Sequence, residues 1–416
     1  MLRQGLLAAL LGTATFFALL EALLRLCGYG PDDMPYGYDP GLVGDFQPAK
    51  RHIAHHPPPA DHTPYRFDTN KQGLRADQDF TIPKPMDIHR LLLLGDSFTF
   101  GPFVDNHELT SAQLQTLLNK KNTVAPFEVV NAAMSGWTLI DQFEYLREKG
   151  LRLQPDLVAI SFYINDIREF HPFFRTTLSR QAYREQSQTP LFKIRLFLRR
   201  YSATYSLLRD IKNRFDIATA ATTLSSTATH DYRPFWPAYL ERLDAFAALL
   251  QEQHIPLLFI LIPESDHPIA PDWRAQNAAA ADSLVQQLRT AEREQGNHLL
   301  ESNALLPLLR QALTQRGIAY VDLLEQFARL PSNVDPQTFY LCPQDHHLSA
   351  RGHLFAAETI AQIAGRARPD TGSRHGVGRR ALVALLLHLG LDRHAHRHRP
   401  GGTKDVRRAC NRQHKH

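Results

Sequence analysis

A doubly wound, flavodoxin-like α/β domain on a five-stranded parallel sheet is the fold this sequence predicts. Three observations predict it. Five short runs are apolar on both faces, as strands of a covered parallel sheet are. Helical patterns separate those runs. The residues that directly follow the runs carry chemistry, and such sheets bind ligands beyond the carboxyl ends of their strands.

The chain opens differently. After Arg3, the fifteen residues from Leu6 to Leu20 hold no charge. Glu21 and Arg25 follow, one helical turn apart and able to pair. Both lie near an end, where long side chains reach an interface. With them included the stretch approaches the ~20 residues a bilayer requires, so residues 1–30 predict one uncleaved transmembrane helix. A cleaved signal peptide and a buried soluble helix are the rival readings, but no small-x-small site follows the apolar run. Arg3 would stay cytoplasmic, placing the rest of the chain outside, in a periplasm or at a cell surface. Residues 31–88, rich in Pro, His and Asp, read as an extended leader with a short hairpin. His52, His55 and His56 stand beside Pro57, Pro58 and Pro59 and read as solvated linker rather than metal ligands.

The main domain is expected over 89–365. Its strand candidates are Leu91–Leu94, Phe127–Val130, Leu157–Phe162, Pro256–Ile262 and Ile318–Leu323. Helices are expected at 107–120, 138–150, 236–253, 272–295, 303–316 and 350–364. An insertion, 168–235, separates the third strand from the fourth. Its segment Pro190–Phe215 mixes helically spaced apolar residues with Lys193, Arg195, Arg199 and Arg200. It reads as an amphipathic helix covering the core with a solvated basic face, with a lid or a membrane-facing helix as the other readings. The tail, 366–416, is rich in Arg, His and Gly and reads as disordered.

Charge narrows the function. The 416 residues carry a net +5, yet residues 366–416 alone hold 13 Lys+Arg against 3 Asp+Glu. The rest, with 34 Lys+Arg and 39 Asp+Glu, is mildly acidic. That excludes a nucleic-acid-binding core, which needs its positive charge on the folded surface. Cys27, Cys342 and Cys410 are too sparse and scattered for a disulfide framework, and no Cys/His spacing resembles a zinc site.

Four blocks sit at the strand exits. The first is Gly95-Asp96-Ser97, and the second, Asn131-Ala132-Ala133-Met134-Ser135-Gly136, ends in a glycine. The third is Tyr163-Ile164-Asn165-Asp166, and the last is Asp345-His346-His347-Leu348-Ser349. A serine hydroxyl needs an imidazole to take its proton, and the imidazole needs a carboxylate to fix its tautomer. Glycine lets backbone approach a developing oxyanion, and an asparagine amide adds a donor without charge. Taken singly each block has a plainer reading: a helix cap, a loop glycine, a turn, a metal pair. Four together, each at a strand exit, point to an enzyme.

The order Gly-Asp-Ser, Gly, Asn-Asp, Asp-x-His resembles the SGNH/GDSL hydrolase family over about residues 67–365. Asn70-Lys71-Gln72-Gly73-Leu74-Arg75 is similar to what precedes the serine block in membrane-anchored members. The resemblance implies the SGNH hydrolase fold and a serine esterase with Ser97 as nucleophile, His347 as base and Asp345 orienting it. It implies an oxyanion hole from the backbone N–H groups of Ser97 and Gly136 and the Asn165 side chain. No metal or organic cofactor is implied. The partners implied are an acyl ester (lipid, small ester or acylated glycan) and a membrane, with an O-acyltransferase or a non-catalytic binding module as alternatives. Tyr163 and Ala133 stand where many members have glycine, and Asp-x-His replaces the commoner Asp-x-x-His, which leaves His346 as the alternative to His347 for the base.

Overall fold

The computed structural model describes residues 2–27, 37–55, 64–121, 125–168, 179–209, 211–212, 235–263, 302–327, 329–331, 333–341 and 346–365. Helix α1 (Leu2–Leu26) comes first, then an antiparallel hairpin of β1 (Arg51–His55) and β2 (Pro64–Asp68). The main sheet is built from β3 (His89–Leu94), β4 (Phe127–Asn131), β5 (Leu157–Phe162), β6 (Leu257–Leu261) and β7 (Ala319–Asp322). Its strand order is β4-β3-β5-β6-β7, every pair parallel. That is the flavodoxin-like order, whose switch point lies between β3 and β5. The predicted five-stranded parallel α/β sheet is what the chain forms.

The strands alternate between two apolar layers because each successive side chain points to the opposite face. Leu92, Leu94, Val158 and Ile160 pack against α4 (Leu139–Glu148), α8 (Trp236–Glu252) and α9 (Ser302–Gln315). Leu91, Leu93, Ala159 and Ile260 face α3 (Thr110–Lys121), α10 (Leu323–Phe327) and α11 (Ala350–Gly365). Each strand is therefore sealed on both sides. The helix expected at 272–295 lies outside the described residues, as do the tail, Cys342 and Cys410; Cys27 is an exposed free thiol.

The leader packs into the domain. The Asp45 carboxylate accepts from Lys149 Nζ at 2.6 Å and from Arg180 Nε at 2.6 Å, all three side chains being buried. Arg180 opens α6 (Arg180–Ser187) and also pairs with Glu148 at the end of α4. Leader, α4 and insertion are thereby tied at one buried knot. Burial lowers the Lys149 pKa and Asp45 opposes that shift.

The expected membrane-crossing helix is not found. α1 forms, but among the described residues no helix is long and apolar enough to cross a membrane. The last turn of α1 is instead committed to protein. Glu21 accepts from the backbone N–H of Ala203 at 2.8 Å and of Thr204 at 2.9 Å, and Arg25 donates to the Tyr201 carbonyl at 2.7 Å. A carboxylate at the start of the helical residues 203–209 satisfies donors that have no partner within that helix. The segment expected as one helix over Pro190–Phe215 therefore breaks at Ser202, leaving α7 as Pro190–Tyr201. The expected basic face of α7 is also turned around in part. Leu191, Ile194, Phe197 and Tyr201 are exposed together with Lys193 and Arg195, while Arg199 lines a cavity behind the helix.

Candidate active site

The chain leaves β3 through Gly95 and turns at once into α2 (Ser97–Phe100). A Cβ on Gly95 would come within 2.4 Å of Thr99 Oγ1 and 3.2 Å of Ser161 Cβ, so glycine is required for so tight a strand-to-helix turn. Asp96 caps the helix, its buried carboxylate accepting from Phe98 N at 2.9 Å. Ser97 thus stands in the first turn, where backbone N–H groups have no partner inside the helix and the dipole is positive.

Four residues make a marginal helix, so neighbours hold it. Asn131, at the exit of β4, donates its amide to the Thr99 carbonyl at 2.8 Å and accepts from Ala133 N at 3.1 Å. Arg75 is buried and donates to the carbonyls of Phe100, Gly101 and Val104 and, at 3.0 Å, to Asn106 Oδ1. Its guanidinium lies 4.8 Å from the Phe67 ring centroid and 4.9 Å from that of Phe100. Neither Asn131 nor Arg75 has a role that the sequence pattern alone marks. For Arg75 the available signal was the Asn70–Arg75 run ahead of the serine block.

The imidazole arrives from the far end of the chain. Tyr340 and Leu348 form an antiparallel bridge, and Leu341 N donates to the His347 carbonyl at 2.9 Å. That holds Tyr340–Leu341 and His347–Leu348 side by side. His347 Nε2 then lies 2.7 Å from Ser97 Oγ, a hydrogen bond across 250 residues of sequence. His346 is exposed, and the ring in contact with Ser97 is that of His347. Phe98 stacks on Tyr163 with centroids 3.8 Å apart, and its ring lies 5.0 Å from that of His347. Phe103, 6.2 Å away, borders the imidazole edge-on.

The remaining predicted residues fall as follows. Gly136 lies in the loop after β4 with φ of 77°, a left-handed conformation that disfavours residues with a Cβ. Asn165 opens α5 (Asn165–Arg168) at the exit of β5, with its side chain outside the described residues. Asp345 also lies outside them. Serine and histidine are therefore brought together in bonding distance, with Gly136 and Asn165 on neighbouring strand exits. His353, the other histidine of this region, is fully buried in α11 and meets Thr110, whose N–H donates to Nδ1 at 3.3 Å. Burial first, then the charges of Arg75 and His347, lower its pKa to about 3. It is held neutral as a packing partner.

No curated protein matches the chain. Among solved structures, the acetylxylan esterase Axe2 from Geobacillus stearothermophilus is similar at 14% identity, with 66% of this chain and 93% of that one covered and a TM-score of 0.35. A single-substitution variant of that esterase matches at 15% identity, 67% and 96% coverage and a TM-score of 0.36. A G-D-S-L family protein from Desulfitobacterium hafniense DCB-2 follows at 12%, 66% and 98% coverage, and 0.34. Scores this low carry no argument on their own. The GDSL-like Lipase/Acylhydrolase family, in contrast, matches residues 93–354, well over half the chain, from the end of β3 into α11. With the serine–histidine contact inside that span, the chain belongs to the GDSL-like lipase/acylhydrolase family and is an ester-bond hydrolase.

Proposed function

We propose that the chain is a serine esterase that cleaves an acyl ester through an acyl-enzyme on Ser97. The observation that carries this reading is the 2.7 Å contact between Ser97 Oγ and His347 Nε2 at the first turn of α2. Ser97 Oγ attacks the ester carbonyl while its proton passes to His347 Nε2. The tetrahedral oxyanion is held by the backbone N–H groups of Ser97 and Gly136 and by the Asn165 amide, each such donor being worth about 3–4 kcal/mol of transition-state stabilisation. Collapse breaks the bond to the leaving alcohol, which takes the proton back from His347. Water, deprotonated by the same imidazole, then releases the acid and restores the hydroxyl. Asp345, two residues before His347 in an Asp-x-His arrangement, orients the ring and balances the imidazolium.

The substrates that fit this reading are acyl esters of cell-envelope glycans or lipids, met by a catalytic domain on the outer side of a membrane with α1 as its membrane-associating end. Ser97→Ala tests the chemistry. The variant is expected to lose at least about a thousandfold in p-nitrophenyl acetate hydrolysis, and a fluorophosphonate should label the wild type at Ser97. Hydrolysis retained by a folded S97A protein removes Ser97 from the mechanism. Acyl transfer to a glycan acceptor in preference to water would make the enzyme an O-acyltransferase with the same residues.

A further inference from the structure

A helix that covers a protein core turns its apolar face inward. α7 does the reverse. The helical positions 192, 196 and 199 face the body, where Phe192 meets Tyr183 of α6 edge-on at 5.2 Å. There Arg199, with Arg209 of the next helix, lines a cavity of about 170 Å³. The opposite side presents Leu191, Ile194, Phe197, Leu198 and Tyr201 to the surface. Phe197 and Ile194 are 61% and 57% exposed. Lys193 and Arg195, both exposed, project from the two edges of that apolar side. α7 contains no acidic residue.

Further exposed apolar residues lie on the elements next to α7. Arg25 joins α1 to the end of α7 through the Tyr201 carbonyl, and α1 brings exposed Leu23 and Leu26 to that joint. Beyond the break, Leu208 is exposed as well. An apolar face edged by cations is the arrangement of a helix lying in a membrane interface, its aliphatic side among acyl chains and its cations among phosphates. A protein partner of neutral surface would leave the edge cations without complement. A lipid surface bearing negative headgroups satisfies both features at once.

We propose that α7 is a membrane-docking helix for anionic phospholipid surfaces, seating Ile194 and Phe197 among the acyl chains with Lys193 and Arg195 at headgroup level. The inference does not depend on the Ser97 chemistry, which lies on another part of the fold. It places the insertion beside α1 against the bilayer, so that the hydrolase works next to the surface that supplies its esters.

The experiment measures partition of the full chain onto vesicles of phosphatidylcholine, alone or mixed with phosphatidylglycerol. Wild type, I194D/F197D, K193Q/R195Q and a charge-matched control, K120Q/R147Q, are compared, with melting temperature and ester hydrolysis reporting on the fold. I194D/F197D is expected to bind both vesicle types at least about tenfold more weakly, from the apolar area it keeps in water. K193Q/R195Q is expected to lose about fivefold per charge on the phosphatidylglycerol vesicles only. The control keeps wild-type binding. Undiminished binding by a folded I194D/F197D protein overturns the proposal, since α1 or the basic tail would then carry the membrane. So does self-association of the wild type that I194D/F197D abolishes and vesicles do not compete away, which would make the face a contact between two copies.

Discussion

Replacing Arg75 with methionine removes four buried donors while keeping most of the side chain's apolar stem. The carbonyls of Phe100, Gly101 and Val104 then lose the guanidinium that satisfies them, and Asn106 loses a partner. Each orphaned buried group costs about 1–3 kcal/mol. Against this stands relief of a charge that burial makes expensive, holding the guanidinium pKa down to about 9. Three carbonyls outweigh that relief once the Phe67 and Phe100 rings lose their cation, and the net destabilisation should be on the order of 3 kcal/mol. Urea unfolding followed by circular dichroism measures it. The same carbonyls close the C-terminal end of α2, so kcat should also fall by tenfold or more with little change in KM, as slight misplacement of a reacting group does. Arg75→Lys, which keeps the charge but not the fork of donors, should fall between. A stable Arg75→Met protein with wild-type kcat would refute the claim that this guanidinium holds the nucleophile helix.

Three further outcomes follow from the same geometry. His347→Ala should lower kcat/KM by at least about a hundredfold while His346→Ala changes it little; the reverse ranking would place the base one residue earlier. Asp45→Asn leaves Lys149 and Arg180 buried without their shared carboxylate, so urea unfolding should show a loss of about 3–5 kcal/mol. His353 has its pKa lowered to about 3, so between there and the unfolded value of about 6.5 only the unfolded chain takes up the proton, and stability falls as the solution is acidified. His353→Asn should therefore lose about 2 kcal/mol less than the wild type between pH 7 and pH 5, and equal losses would contradict the buried neutral imidazole.

The strands were legible because burial on both faces leaves a mark that local sequence carries: Leu157–Phe162 is apolar at every position but Ser161, and it is a strand from end to end. α4 and α8 were legible for the complementary reason, a period matched to one buried side. The short helices were not. Ser97–Phe100 has no room for a period, and its helical state is imposed by a glycine turn, an aspartate cap and a guanidinium from the leader. Nor could local sequence place the break at Ser202, because Glu21, which caps the following helix, is about 180 positions away. α1 shows the same limit from the other side: its composition suggested a span, but its last turn is occupied by contacts with the insertion. Ser97 was legible at a strand exit and His347 as a residue type in the last block, whereas Asn131 and Arg75 act only through the backbone they hold.

That division has a physical cause. A nucleophile must be presented on a turn too short to be stable alone, so its geometry is determined by whatever packs around it. Here the support comes from three directions. Asn131 reaches across from the edge strand β4, Arg75 comes up from the leader, and the bridge between Tyr340 and Leu348 sets the imidazole opposite. The leader in turn is fixed to α4 and α6 through Asp45. A force on the insertion can thus be felt at the serine through Arg180, Asp45 and the leader segment that ends in Arg75, all three side chains being buried. If α7 docks on a lipid surface, the load passes from α6 through Arg180 and Asp45 to the leader, which carries Arg75. Membrane contact and hydrolysis would then share a mechanical route, and Asp45→Asn, which cuts that route without touching either end, is the variant in which activity on vesicle-bound ester and activity on soluble ester should respond differently.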